Sequence, residues 1–204
     1  MLYNHFTTEN IIIVDADYVS SVAFNLIVNF ERMLERRIPA ADMARWVECV
    51  ALDGGLRENT EGEQDVLVIL IHDSRKSRME NFSPSNYKGE LDGKAFKSRF
   101  AEFCFTCVHD EADVVTKDNL LTETVGTVCR QEGVRRLMVV PSDRQTAEVG
   151  KLLDRLDNVE RHTTLFTMEP QTGGVFRQQI LGYSLMAAMG ISGREIDDKM
   201  NQNK

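Results

Sequence analysis

Five apolar runs in this chain end in a carboxylate: IIIV at Asp15, VLVILIH at Asp73, EFCFTCVH at Asp110, LMVVPS at Asp143 and TLFTM at Glu169. In an open parallel sheet the carboxyl ends of the strands share one edge, and ligands bind in the crevice outside that edge. Carboxylates converging there would offer hard oxygen ligands to a divalent ion such as Mg²⁺ or Mn²⁺. Such an ion can activate a water and neutralise the charge that builds on a phosphodiester during displacement. The same residues have a structural use, because an acid placed just before a helix caps its first turn, worth about 1 kcal/mol.

The elements that must position these acids are legible from hydrophobic period. After Ile11 to Val14, the apolar residues Val19, Val22, Ala23, Leu26, Ile27, Phe30, Met33 and Leu34 recur at three and four residues and predict one long amphipathic helix. Pro39 breaks that stripe and suits the first turn of a second helix over 40–51. The glycine- and acid-rich stretch 53–65 reads as an exposed loop. Strands over 66–71, 102–108, 136–140 and 163–168 then alternate with helices carrying Leu121, Val125, Val128 and Cys129, and Ala147, Leu152, Leu153 and Leu156. Gly133 is placed to close the first of these in a left-handed conformation. Alternation of this kind predicts a three-layer α/β/α sandwich, Rossmann-like, around a mainly parallel sheet of about five strands. The domain is expected over 1–170, with 171–204 as a helical tail whose stripe Ile180, Leu181, Leu185, Met186 and Met189 packs on it.

With 204 residues, 42% of them apolar, the chain can bury one sizeable core. A net charge of −8 argues against a broadly basic nucleic-acid face. The exception is 74–99, which carries seven bases against three acids. Arg75, Lys76, Arg78 and Lys88 there are candidate phosphate contacts. Phe82, Tyr87 and Phe96 in the same segment would either stack bases or, the commoner arrangement, tuck into the core. No apolar run approaches the roughly 20 residues that span a bilayer, and the first ten residues lack the features of a signal peptide. A cytoplasmic protein with reduced thiols is expected. Cys104 and Cys107 have a CxxC spacing, but an odd separation in a strand sends them to opposite faces, so two buried core cysteines are expected.

The words IIIVDADYV and LMVVPSD, with the acidic segment EADVVTKD upstream of the second, resemble the PIN-like nuclease superfamily and, within it, the NYN branch. The resemblance implies a parallel sheet flanked by helices and strand-tip acids that bind Mg²⁺ or Mn²⁺ for RNA cleavage. Carried onto this chain, it implies Asp15, Asp143 and either Asp113 or Asp118 as metal-binding catalytic acids. The chain departs from the pattern at Asp17-Tyr18, where that branch carries an asparagine, and at Arg144-Gln145, where it tends to carry a second acid and an aromatic. Those departures support an alternative, a catalytically silent PIN-like scaffold that meets a protein partner, or a second copy, through its C-terminal helix or acidic loop. Asp15-Ala16-Asp17 also resembles the DxD of haloacid-dehalogenase-like phosphatases, with Ser142 as a second-motif residue. His72 and His109 each precede a strand-tip acid and read as hydrogen-bonded structure or as proton shuttles.

Overall fold

Strand β1 (Asn10–Asp15) is buried at every residue, which a half-exposed strand cannot be, so it must lie at the centre of a sheet covered on both faces. The computed structural model, which describes residues 8–58, 63–111, 115–156 and 160–202, builds that sheet. The other strands are β2 (Ala41–Asp42), β3 (Asp65–His72), β4 (Phe82–Ser83), β5 (Ala95–Lys97), β6 (Glu102–His109), β7 (Arg136–Val140), β8 (His162–Thr167) and β9 (Arg177–Ile180). The helices are α1 (Ala16–Leu34), α2 (Met43–Asp53), α3 (Lys117–Cys129), α4 (Asp143–Leu156), α5 (Leu181–Ala188) and α6 (Gly193–Gln202).

Seven strands form the main sheet in the order β5-β6-β3-β1-β7-β8-β9, all parallel except β5, which runs antiparallel to β6. The five expected strands occupy its centre. Two further edge strands come from segments whose short runs carry no periodic signal: β5 from inside the basic insertion and β9 from the start of the tail. The chain steps from β1 outward to β3 and β6, then returns across the sheet to β7 on the other side of β1. The β1/β7 boundary is therefore the topological switch point.

Alternation along the strands assigns the layers. Ile12 and Val14 of β1 pack with α1, α2 and α5, while Ile11 and Ile13 pack with α3 and α4. The tail stripe belongs to the first layer: Leu181, Leu185 and Met189 are buried, and Ser184 Oγ accepts a hydrogen bond from Trp46 Nε1 at 3.2 Å. Most of that stripe is therefore core, with Met186 half-buried beside it. Helix α6 buries no residue and is held by ion pairs from Arg36 to Glu195 and from Lys199 to Glu35.

The insertion's aromatics take the commoner arrangement: Phe82 and Tyr87 are buried, and Phe96 stacks on Phe103 at 4.9 Å. Two other expectations are corrected. Helix α3 ends at Cys129 with Arg130 as its right-handed cap, and Gly133 is not among the left-handed glycines. Cys104 and Cys107 are half-buried free thiols, because β6 has only the three-residue β5 beyond it. Among the described residues, no helix is long and apolar enough to cross a membrane.

Candidate functional site

Helix α1 starts at the residue after β1, and this abrupt junction crowds chemistry at the strand tip. Asp15 ends the strand and caps the helix, its Oδ1 accepting from the Tyr18 N–H at 3.0 Å. Asp17 and Tyr18 consequently sit in the first turn, facing the ends of β3 and β7. On the β7 side, Ser142 precedes α4 and forms a reciprocal cap: Gln145 Oε1 accepts from the Ser142 hydroxyl at 2.8 Å and from its N–H at 3.3 Å. Gln145 Nε2 also donates to the Asp118 carbonyl at 3.2 Å, tying α4 to the start of α3.

These tips frame a cleft of about 450 Å³ lined by Asp15, Asp17, Tyr18, Ser21, Asp73, Lys76, Lys117, Ser142, Asp143 and Arg144. Its acids are engaged by groups of the chain itself. Lys117 Nζ lies 2.6 Å from Asp15 Oδ1 and 3.2 Å from Asp17 Oδ2, bridging the two carboxylates. Asp17 Oδ2 also accepts from the Asp73 N–H at 2.9 Å, and Lys76 stands 3.2 Å from Asp17 Oδ1. Arg75 holds Asp73 through Nε at 2.9 Å and Nη2 at 2.5 Å. The Tyr18 hydroxyl donates to Asp143 Oδ1 at 2.5 Å. Among the described residues, the buried Asp15 Oδ2 has no hydrogen-bond partner, and Asp17 Oδ1 has Lys76 at ion-pair distance but no aligned hydrogen bond.

The electrostatics follow from this pairing. Burial by itself would lower the Lys117 pKa, but Asp15 and Asp17 outweigh it and hold the ammonium above its ordinary 10.5. Burial, then the Asp143 carboxylate, push the Tyr18 hydroxyl far above its usual 10.0. The guanidinium of Arg75 holds the Asp73 carboxyl well below the usual carboxylate range.

Sequence reasoning brought Asp15 and Asp143 to one cleft, and both are there. Asp118 is exposed in the first turn of α3 and does not line the cleft; its contribution is the carbonyl that receives Gln145. Asp113 lies outside the described residues. Of the other strand-tip acids, Asp73 lines the cleft, whereas Asp110 turns to the Ser74 N–H at 2.6 Å. Lys117 went unread. Its signal was positional: a lysine in the first turn of a helix opposes the dipole, which favours acids there, so such a residue calls for a carboxylate partner.

A divalent ion does not fit this donor set as it stands. The four acids lining the cleft face Lys76, Lys117 and Arg144 within it and Arg75 at its rim, so no excess negative charge remains to attract a cation. The ammonium of Lys117 lies between Asp15 and Asp17, where a shared ion would have to bind. Among the described residues, no group of three or more His, Cys, Asp or Glu side chains is placed to hold a metal.

A family model matches residues 4–196 of the chain. The protein belongs to DUF6621, a family of unknown function. No curated protein and no solved structure matches it.

Proposed function

We propose that the chain is a divergent PIN/NYN-like scaffold that binds single-stranded RNA along the carboxyl edge of its sheet and does not cleave it. The observation that carries this reading is Lys117 against Asp15 and Asp17, at 2.6 and 3.2 Å. A lysine there supplies the positive charge that two adjacent carboxylates need, and it does so permanently and without a Lewis acid. Support for the ligand comes from the basic insertion. Arg75, Lys76 and Arg78 line a groove beside the cleft, Lys76 also borders the cleft itself, and Lys88 lies on the next cavity along the edge. Their side chains are exposed, so their surface pairings cost little to exchange for phosphate.

The test is fluorescence anisotropy on a labelled single-stranded RNA in EDTA, followed by the same RNA with Mn²⁺ and gel analysis of its length. Binding in EDTA is expected, with log K falling against log salt with a slope of roughly −3 for four phosphate contacts. Uncut RNA after incubation with Mn²⁺ is also expected. Metal-dependent cleavage that Asp15→Asn abolishes would restore a nuclease assignment, and absence of binding at low salt would remove RNA from the reading.

One observation favours a rival. Asp15 Oδ2 is buried beside a lysine and, among the described residues, has no hydrogen-bond partner, as a carboxylate nucleophile toward a phosphate monoester would be, with Asp17 as the acid or base of a haloacid-dehalogenase-like site. Turnover of p-nitrophenyl phosphate, lost in Asp15→Asn, would establish it.

A further inference from the structure

Beside the switch-point cleft, over the tips of β3 and β6, lies a second cavity of about 560 Å³, lined by His72, Ser74, Lys76, Tyr87, Lys88 and His109 among others. Its chemistry is the opposite of its neighbour's. Two lysines, two imidazoles and serine hydroxyls face it against one acid, Asp92, whose Oδ1 already accepts from the Cys107 N–H at 2.9 Å. Asn86, also in the lining, has its amide oxygen engaged by the Gly89 N–H at 2.7 Å, which leaves its NH₂ as the donor.

The two histidines are prepared alike. They pair across β3 and β6 in register, and each places Nδ1 on the carbonyl of the following residue: His72 on Asp73 at 3.0 Å and His109 on Asp110 at 2.9 Å. A carbonyl only accepts, so both rings carry the proton on Nδ1. Each Nε2 forms no hydrogen bond among the described residues. Tyr87 adds a further unmet group. It is 3% exposed, and its hydroxyl has no partner among the described residues. The Tyr87 and His72 rings stack on one another, 3.8 Å apart at 5°, so the buried aromatic faces are mutually covered and the cavity draws its recognition from polar groups.

We infer that this cavity is a binding site for a phosphate monoester dianion. Lys88 and Lys76, the latter also 3.2 Å from Asp17 Oδ1, supply charge, and Ser74, Ser77 and Asn86 supply neutral donors; burial holds the His72 pKa below its ordinary value, so the lysines carry the charge of the site. The charged and titratable groups around His72 are Asp17 from α1, Asp73 and Lys76 beyond β3, His109 and Asp110 beyond β6, and Tyr87 from the insertion. The dianion can be the phosphorylated end of an RNA or a free phosphorylated small molecule, and the site stands whether or not the RNA reading holds.

Isothermal titration calorimetry on the full chain tests it, with inorganic phosphate, uridine 5′-monophosphate and uridine as probes. Phosphate and the nucleotide should bind and uridine should not. Lys88→Ala, at an exposed position, should weaken binding about tenfold, the loss of one charge-assisted hydrogen bond. Lys94→Ala, an equal change of charge at an exposed position outside the cavity, should leave affinity unchanged. A 5′-phosphorylated oligonucleotide that outbinds its 5′-hydroxyl counterpart about tenfold would place an RNA end in the cavity. Equal affinities, with nucleotide binding retained, would assign the site to a small molecule. No heat at millimolar phosphate, uridine binding as well as its phosphate, or wild-type affinity in Lys88→Ala would overturn the inference. Unphosphorylated RNA binding without phosphate binding would overturn it while sparing the RNA reading, and phosphate binding without RNA binding would do the reverse.

Discussion

The cleft at β1/β7 and the cavity over β3/β6 open on the same edge of one sheet, over neighbouring strand pairs and sharing Lys76, and solve opposite electrostatic problems. In the cleft, carboxylates and cations meet one another: Lys117 joins Asp15 to Asp17, Arg75 takes Asp73, and Tyr18 takes Asp143. In the cavity, donors outnumber acceptors, and the one acid, Asp92, is already engaged by the Cys107 N–H. A strand-tip acid is thus no index of a metal site by itself. What matters is whether the fold delivers a cation to it, and here the first turn of α3 does.

The most severe way to break this contrast is to remove the acid that Lys117 answers. Asp15→Ala strands a partly buried ammonium and deletes the cap of α1, and should cost about 4 kcal/mol in urea unfolding. A loss below about 1 kcal/mol would mean that Lys117 escapes to solvent and that the pairing is incidental. The reciprocal change sharpens the comparison. Lys117→Met leaves Asp15 and Asp17 facing each other without the cation between them, so Mn²⁺ should stabilise the variant by ~2.7 kcal/mol at 100 times its dissociation constant, read as a rise in its melting temperature. The wild type, already neutralised, should show no such shift; equal shifts in both proteins would refute the substitution of lysine for metal.

Alkaline pH probes the same pairing without mutation. Lys117, Tyr18 and Tyr87 all have pKa values raised by the fold, above ordinary values of 10.5, 10.0 and 10.0. A raised folded value stabilises fully below the unfolded value and is lost as pH climbs toward the folded one. Stability should therefore hold to about pH 10 and then fall, with Tyr18 and Tyr87 ionising only as the chain unfolds, which absorbance near 295 nm would follow alongside circular dichroism. Smaller effects separate the acids. Tyr18→Phe removes one hydrogen bond to an exposed carboxylate and should cost about 1 kcal/mol, whereas Asp118→Ala, at an exposed position outside the cleft, should stay within about 0.5 kcal/mol.

How far the sequence could be read is clearest at particular residues. The period of Val19, Val22 and Ala23 and the unbroken apolar runs of β1 and β3 announced the helix and the central strands, because burial on both faces leaves no polar position. The edge strands β5 and β9 were not readable, since runs of three and four residues carry too little pattern and form only when a neighbour offers its ladder. In the tail, Leu181, Leu185 and Met189 join the core cluster of α1 and α2, and the insertion's aromatics took the commoner of their two roles.

The sequence by itself determined the alternation of strand and helix and therefore that Asp15 and Asp143 follow parallel strands whose carboxyl ends share one edge. Those facts follow from local period and connection rules that act within a few residues. Only the tertiary structure decided what the acids do. Lys117 is 102 residues from Asp15 and 100 from Asp17 along the chain, and Tyr18 is 125 from Asp143. No local pattern encodes a meeting across such separations. It exists because the crossover from β6 back to β7 carries the first turn of α3 over the switch point, where a charge of either sign must find its opposite or remain unpaired in a half-buried cleft.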